Sequence, residues 1–320
     1  ERGLQLFDEH HVETGFTHLI HHARSHKHGF PSMRASAYTS DQETGTTGVD
    51  REDIMASSSE IETTTDDMPR PAPIVRAAQI EDVVAAIEAG FRDFRAAPLY
   101  GLFFGGVFAL GGLLTAYMTA ALGWGFIAMP MAAGFALIGP FAAVGLYEVS
   151  RRRETGEPLS FGAVLTCVIG QSKREMGWMA LVSVFAFVVW MYQARMLFAF
   201  SFGISATPGP DIWQMLFQSR EGLIFLTIGT AWGAVMAVIV FALTVVSFPL
   251  LLDQDRDFIT AMITSVKAVV ASPKVMIGWG LITAAVLFMA ILAAFLGLLV
   301  ALPVLGHATW HLYRRIVTNP

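Results

Sequence analysis

Leu99–Leu122, LYGLFFGGVFALGGLLTAYMTAAL, carries no charged residue along its length, and this run decides the fold class. A bilayer core of about 30 Å is crossed by roughly 20 apolar residues in a helix, so the stretch is long enough to span it once. Gly123, Trp124 and Gly125 then predict a short turn, and a second apolar run reaches Tyr147. A third begins near Met176 and stays apolar until Arg195, and a fourth, again uncharged, runs from Leu223 to Leu252. The last block, Val275 to Tyr313, is 39 residues long. That is about twice one span, and a single helix of such length would protrude far into water, so a tight turn near Ala294–Gly297 is predicted to split it. The expected fold is all-α, with six transmembrane helices arranged as three helical hairpins.

Composition agrees. The chain has 320 residues, 54% of them apolar and 15% charged, with a mean hydropathy of +0.55. Soluble domains carry about 25% charged residues. The net charge of −5 is unevenly placed: residues 1–80 contribute −6 and residues 81–320 contribute +1. With a pI near 6.0, the chain has no basic stripe for nucleic acid. The single cysteine, Cys167, reads as a small apolar filler beside a cytoplasmic loop, with no histidine near it in sequence to activate the thiol.

Residues 1–78 form a tail expected to be disordered. Thr39 to Asp67 is rich in Ser, Thr, Asp and Glu, and Pro69, Pro71 and Pro73 follow; such a composition buries too little surface to offset chain entropy. Seven histidines lie before Phe30, a loose metal-binding tract at most, without a defined ligand geometry. A bacterial amino terminus of ordinary type, MASSSEIETTTDDMPRPAP, begins at Met55. Residues 1–54 are therefore read as an over-extended reading frame. The membrane body is expected over residues 79–316.

Each hairpin is preceded by a shorter amphipathic segment, predicted to lie along the membrane surface or against the bundle. In the first, Ile80 to Phe94, Ile80, Val83, Val84, Ile87 and Phe91 recur at helical spacing. The second is Leu159 to Ile169. In the third, Phe258 to Val270, the stripe is Ile259, Met262, Ile263, Val266 and Val269. Ala97-Pro98 and Ser272-Pro273 join the first and third segments to their spans, and after the second and third segments Gly-Trp pairs open the third and fifth spans at Gly177 and Gly278. Three such units predict a pseudo-three-fold repeat.

Orientation follows from the bases. Arg92 and Arg95 precede the first span, and Arg151, Arg152, Arg153, Lys173 and Arg174 lie between the second and third. Arg256, Lys267 and Lys274 lie between the fourth and fifth, and Arg314 and Arg315 follow the last. The opposite side holds only Arg220. Both termini are expected in the cytoplasm.

Ionisable groups in or beside spans are the functional suspects, because burying one in lipid costs about 2.5–3.5 kcal/mol. Arg195, in WMYQARMLF, is expected at the outer interface, as a snorkelling base or as an anion contact with Asp211, Arg220 or Glu221 nearby. Each even-numbered span has a proline in its cytoplasmic half, Pro140, Pro249 and Pro303, read as helix hinges. Beyond them lie Glu148, Asp253, His307 and His311. His307 and His311 share a helix face at i, i+4, a spacing that can chelate a metal. Two histidines need further ligands, which Glu148 and Asp253 could supply; the more ordinary expectation pairs those carboxylates with Arg151, Arg314 and Arg315. No cofactor is called for.

The motifs AAPLYGLFFGG, from Ala96, and IGPFAAVGLYE, from Ile138, resemble those of a family of uncharacterised integral membrane proteins of alphaproteobacteria, domain of unknown function two-one-eight-nine. The resemblance spans about residues 78–315. It implies a bacterial inner-membrane protein and no established activity. Members of that family are sometimes labelled as a cytochrome oxidase subunit I, but such a subunit needs histidines on several spans, and the first five spans here hold none. The expected role is a non-enzymatic membrane subunit, scaffold or assembly factor, including one accessory to a respiratory complex. Its partners would be the lipid bilayer and a membrane protein or a second copy. The alternative is a small-solute transporter or channel. An enzyme acting on lipid has least support, since no nucleophile–base set is visible.

Overall fold

A computed structural model of the chain describes residues 71–124, 128–206, 209 and 212–318. The histidine-rich stretch, Met55 and most of the expected tail lie outside them, as does Asp211. The described residues form eleven helices and one two-stranded pairing. In chain order they are β1 (Ile74–Val75), α1 (Ile80–Ala96), α2 (Pro98–Ala121), α3 (Ala128–Thr155), α4 (Phe161–Ser172) and α5 (Glu175–Phe202). There follow α6 (Ile212–Gln218), α7 (Arg220–Thr244), α8 (Ser247–Asp253), α9 (Phe258–Ala271), α10 (Pro273–Leu292), α11 (Leu298–Ile316) and β2 (Val317–Thr318). Among the described residues, Pro98–Ala121, Glu175–Phe202, Arg220–Asp253 and Pro273–Leu292 are long and apolar enough to cross a membrane.

The helix ends follow local chemistry. Ser160, Ser219 and Asp257 each accept a backbone N–H three residues on, at 3.2, 2.9 and 2.8 Å, and so start α4, α7 and α9. Ala97 (φ −135°, ψ 56°) and Ser272 (φ −148°, ψ 65°) share one backbone shape, and each is followed by proline in the first turn of the next helix. The long last block breaks where two helices were expected: α10 ends at Leu292, Ala294 and Phe295 take positive φ, and α11 starts at Leu298.

The three prolines expected as hinges are not equivalent. Helices α3 and α11 run on through Pro140 and Pro303. Only Pro249 accompanies a break, between Thr244 and Ser247, because its ring would collide with the Val245 carbonyl four residues back. Ser265 of α9 accepts the Val246 N–H at 3.1 Å, so a backbone group loosened there keeps a partner. Helix α6, between the third and fourth apolar runs, was not foreseen.

The short helices turn their small residues inward. In α1 the buried residues are Asp82, Val83, Ala86, Ala89, Gly90 and Asp93, whereas Ile80, Val84 and Phe91 of the expected stripe are exposed. Helix α9 repeats this, burying Ala261, Thr264, Ser265 and Ala268 while Ile259, Ile263 and Val270 face out. Phe161, Leu165 and Ile169 line the outer side of α4. The consequence is close packing. A β-carbon on Gly90 would stand 2.6 Å from the Ala308 nitrogen of α11, and one on Gly105 of α2 would stand 2.8 Å from the Leu298 carbonyl oxygen.

The two ends of the described body are tied together. Ile74 and Val75 pair antiparallel with Thr318 and Val317, Arg76 Nε donates to the Arg315 carbonyl at 2.7 Å, and the Ala78 N–H donates to Ser272 Oγ at 3.0 Å. The folded body therefore begins before residue 79, inside what was expected to be tail. The main core gathers Val83 and Ala86 of α1, the C-terminal part of α3, the first turns of α5 and α10, Phe248 and Leu250–Leu252 of α8, Ala261, Ala268 and Val269 of α9, and the C-terminal half of α11.

Candidate functional site

The C-terminal turns of α3, Glu148 to Glu154, are the hub of the polar groups. Helical spacing sends Ser150 and Arg153 toward α1 and α11, Glu148 inward, and Glu154 toward α11. Asp93 of α1 is the centre of the first cluster. Its Oδ1 accepts from Arg153 Nε at 2.9 Å, and its Oδ2 accepts from Ser150 Oγ and from His311 Nε2, each at 2.7 Å. Ser150 Oγ also lies 2.8 Å from His307 Nδ1.

Burial alone would push the Asp93 carboxyl up, but the bonds from His311, Arg153 and Ser150 outweigh it and hold it down at about 2. The ionised carboxylate can only accept. The one hydroxyl proton of Ser150 therefore goes to Asp93, and the hydroxyl in turn accepts from His307 Nδ1. His307 Nε2, on the far side of the ring, is buried with no hydrogen-bond partner.

That order of protons separates the cluster from a hydrolytic triad. There a histidine withdraws the serine proton and a carboxylate orients the histidine. Here the carboxylate holds the serine proton, and both Ser150 and His307 are fully buried. The arrangement ties α1, α3 and α11 together.

Glu148, whose side chain is fully buried, accepts from Arg151 Nε at 2.7 Å and Arg152 Nε at 2.6 Å, and Arg151 reaches on to Glu157 at 2.8 Å. Cys167 of α4 lies beside it. Burial first, then the Glu148 charge, pushes this thiol up to about 11, so it stays protonated and unreactive. On the other flank, Asp253 accepts from Tyr313 Oη at 2.8 Å and from Arg314 Nη1 at 3.0 Å. Glu154 accepts from Trp310 Nε1 at 3.1 Å and from Arg314 Nε at 3.2 Å.

Of the candidates read from sequence, His307 and His311 share one network, but as hydrogen-bond partners of Ser150 and Asp93. Glu148 and Asp253 belong to separate ion pairs with Arg151, Arg152 and Arg314. No group of three His, Cys, Asp or Glu able to hold a metal occurs among the described residues. Arg195 is remote from all of these. It is exposed, donates to the Ile204 carbonyl at 3.1 Å beyond the end of α5, and sits 5.9 Å from the Phe198 ring centroid.

Sequence reasoning missed Asp93, Ser150, Arg153 and Glu154. A signal was present for Asp93: it continues the Asp82–Ala86–Ala89 spacing along the small-residue face, a position where an acid needs a partner.

Residues 127–253 match the family described as "Predicted integral membrane protein (DUF2189)". The expected resemblance is thus found, over a shorter stretch than residues 78–315. No curated protein and no solved structure matches the chain. The chain is an integral membrane protein with several apolar helices.

Proposed function

We propose that the protein crosses the bacterial inner membrane six times with both termini in the cytoplasm, and that it serves there as a non-enzymatic subunit or scaffold for a membrane partner. One observation carries the role. In the most apolar window of α5, Glu175–Phe202, only 6% of the residues are buried by the rest of the chain. Leu181, Phe185, Tyr192, Met196 and Phe200 all lie bare. Exposed apolar faces of this extent mark contact with lipid or with another protein. The ionisable groups of the collar are meanwhile used on one another, which leaves few for chemistry on a substrate.

Six spans and the orientation are supported by the placement of α3 and α11. Helix α3 is uncharged from Ala128 to Tyr147, α11 is uncharged from Leu298 to Gly306 before its collar residues, and Arg151–Arg153, Arg314 and Arg315 lie at the C-terminal ends of these two helices. The joint at Ala97, which leads from α1 into α2, recurs at Ser272, which leads from α9 into α10, and supports the three-fold repeat, whereas the middle unit departs from the pattern with α6 between α5 and α7. The outward Ile, Phe and Leu stripes of α1, α4 and α9 suit helices immersed in the cytoplasmic leaflet.

Spin labels placed singly at Leu181, Phe185, Val188 and Tyr192 in native membranes test the role. These four share the bare stripe of α5, and a partner should make them less accessible to dissolved oxygen than labels at the exposed Leu281 and Phe288 of α10. Accessibility equal to that of the α10 labels would overturn it.

The transporter or channel reading keeps one supporting observation. A hollow of about 300 Å³ lies among α3, α5, α7, α8, α10 and α11 and is lined partly by hydroxyls. Flux of a small neutral solute into proteoliposomes would favour it; tight vesicles would remove it.

A further inference from the structure

That hollow contains two polar groups the fold does not use. Tyr147 is 7% exposed and lines the hollow, yet its phenol makes no hydrogen bond within the described chain. Thr283 Oγ1 is buried on the facing helix, α10, also without a partner. The neighbouring hydroxyls are different. Ser183, Thr244 and Thr309 donate to carbonyls of their own helices at 3.1, 2.7 and 2.8 Å. A buried hydroxyl without a partner costs stability, so Thr283 Oγ1, on a space that Tyr147 also lines, asks for a ligand or water.

The space has an apolar annex. A second hollow of about 370 Å³ runs between α7 and α10, lined by Ala234, Ala237, Gly280 and Ala284. It shares Phe241 and Thr283 with the first. No acidic or basic side chain lines either one. A charged headgroup would therefore sit there unpaired at high cost, whereas an uncharged carbonyl or hydroxyl would find two free donors.

We propose that the joined hollows bind one uncharged lipid, its carbonyl or hydroxyl head between Tyr147 and Thr283 and its tail in the small-residue groove between α7 and α10. The occupant comes sideways from the bilayer, because the groove is bordered by the exposed Val238, Leu281 and Ile282. This site is independent of the bare face of α5, so either proposal can fail alone.

The test uses hexadecanol carrying a diazirine near the end of its tail, added to the full-length protein in nanodiscs, with adducts mapped by peptide mass spectrometry. Adducts should concentrate in Ala234–Phe241 and Ile277–Leu287. Unlabelled monopalmitoyl glycerol should compete and hexadecyl phosphate should not. Thr283→Val with Tyr147→Phe, which keeps both shapes, should lower labelling of these peptides about fivefold. Ala284→Leu, at an exposed position, should fill the groove and remove the labelling. Adducts on α5 serve as the internal reference for lipid contact in every variant. Labelling of the groove no denser than that of α5, equal competition by the phosphate, or unchanged labelling in all variants would overturn the proposal.

Discussion

The two ends of the helix bundle are built differently. At the collar end, α1 approaches α11 closely through Gly90, the large side chains of α3, α8 and α11 form the core, and the charges of Asp93, Glu148, Asp253 and Glu154 are all paired. At the far end, α5, α7 and α10 present Phe200, Leu223, Met289 and Leu292 with little of the chain covering them. In α5 the buried residues are Met176, Met179 and Ala180 at one end and only Phe198 near the other. The difference teaches where each solvent acts. Lipid-facing surface gains nothing from burial against another apolar helix, so the far ends need not close. The collar must close, because Asp93 and Glu148 are buried charges that need their arginine partners beside them.

The largest effect should come from overfilling the collar. Gly90→Leu would drive a side chain into the backbone of α11 and should cost about 3 kcal/mol or more, read as loss of monodisperse protein in detergent. Gly134→Ala, where a β-carbon meets nothing within 4 Å, should leave the melting temperature unchanged or slightly raised. Equal losses would erase the contrast between the two regions.

Asp93→Asn comes next. It removes the charge that Arg153 and His311 share, and because Arg153 is 34% exposed the cost should be about 2–3 kcal/mol, below that of a fully buried pair. It also carries a pH signature. The folded-state value of about 2 lies below the unfolded one, so the stabilisation is full above about pH 5 and is lost as pH falls through 2. Allowing for screening, about 1–2 kcal/mol should disappear. The gap in melting temperature between wild type and Asp93→Asn should therefore narrow on acidification, and a constant gap would show that the carboxylate is not the element at work.

Ser265→Ala should cost about 1 kcal/mol by leaving the Val246 N–H without its acceptor at the break before Pro249. Arg195→Gln, at the open end, should change stability by no more than about 0.5 kcal/mol. If Arg195 proved the more costly of the two, the collar would not be the stabilising region.

Apolar run length alone made most of the helices legible, including the split before Leu298. The collar was legible only in part. His307, His311, Glu148 and Asp253 stood out because charge is rare near spans. Asp93 and Ser150 did not, since an acid and a serine on short amphipathic or terminal turns look solvated until a partner helix is placed against them. The inward faces of α1 and α9 were misjudged for a related reason. Large apolar residues point to the core in water, but beside lipid they lose nothing by pointing outward, leaving Ala, Gly and Ser for helix contact.

What the sequence determined by itself is the solvent: uncharged runs long enough for a bilayer, with bases on their flanks, follow from transfer energetics that no neighbour can change. Which acid meets which base, which proline breaks its helix, and which hydroxyls are left facing a hollow were decided by tertiary structure. Those outcomes depend on angles and distances between helices far apart in the chain, and local spacing carries no record of them.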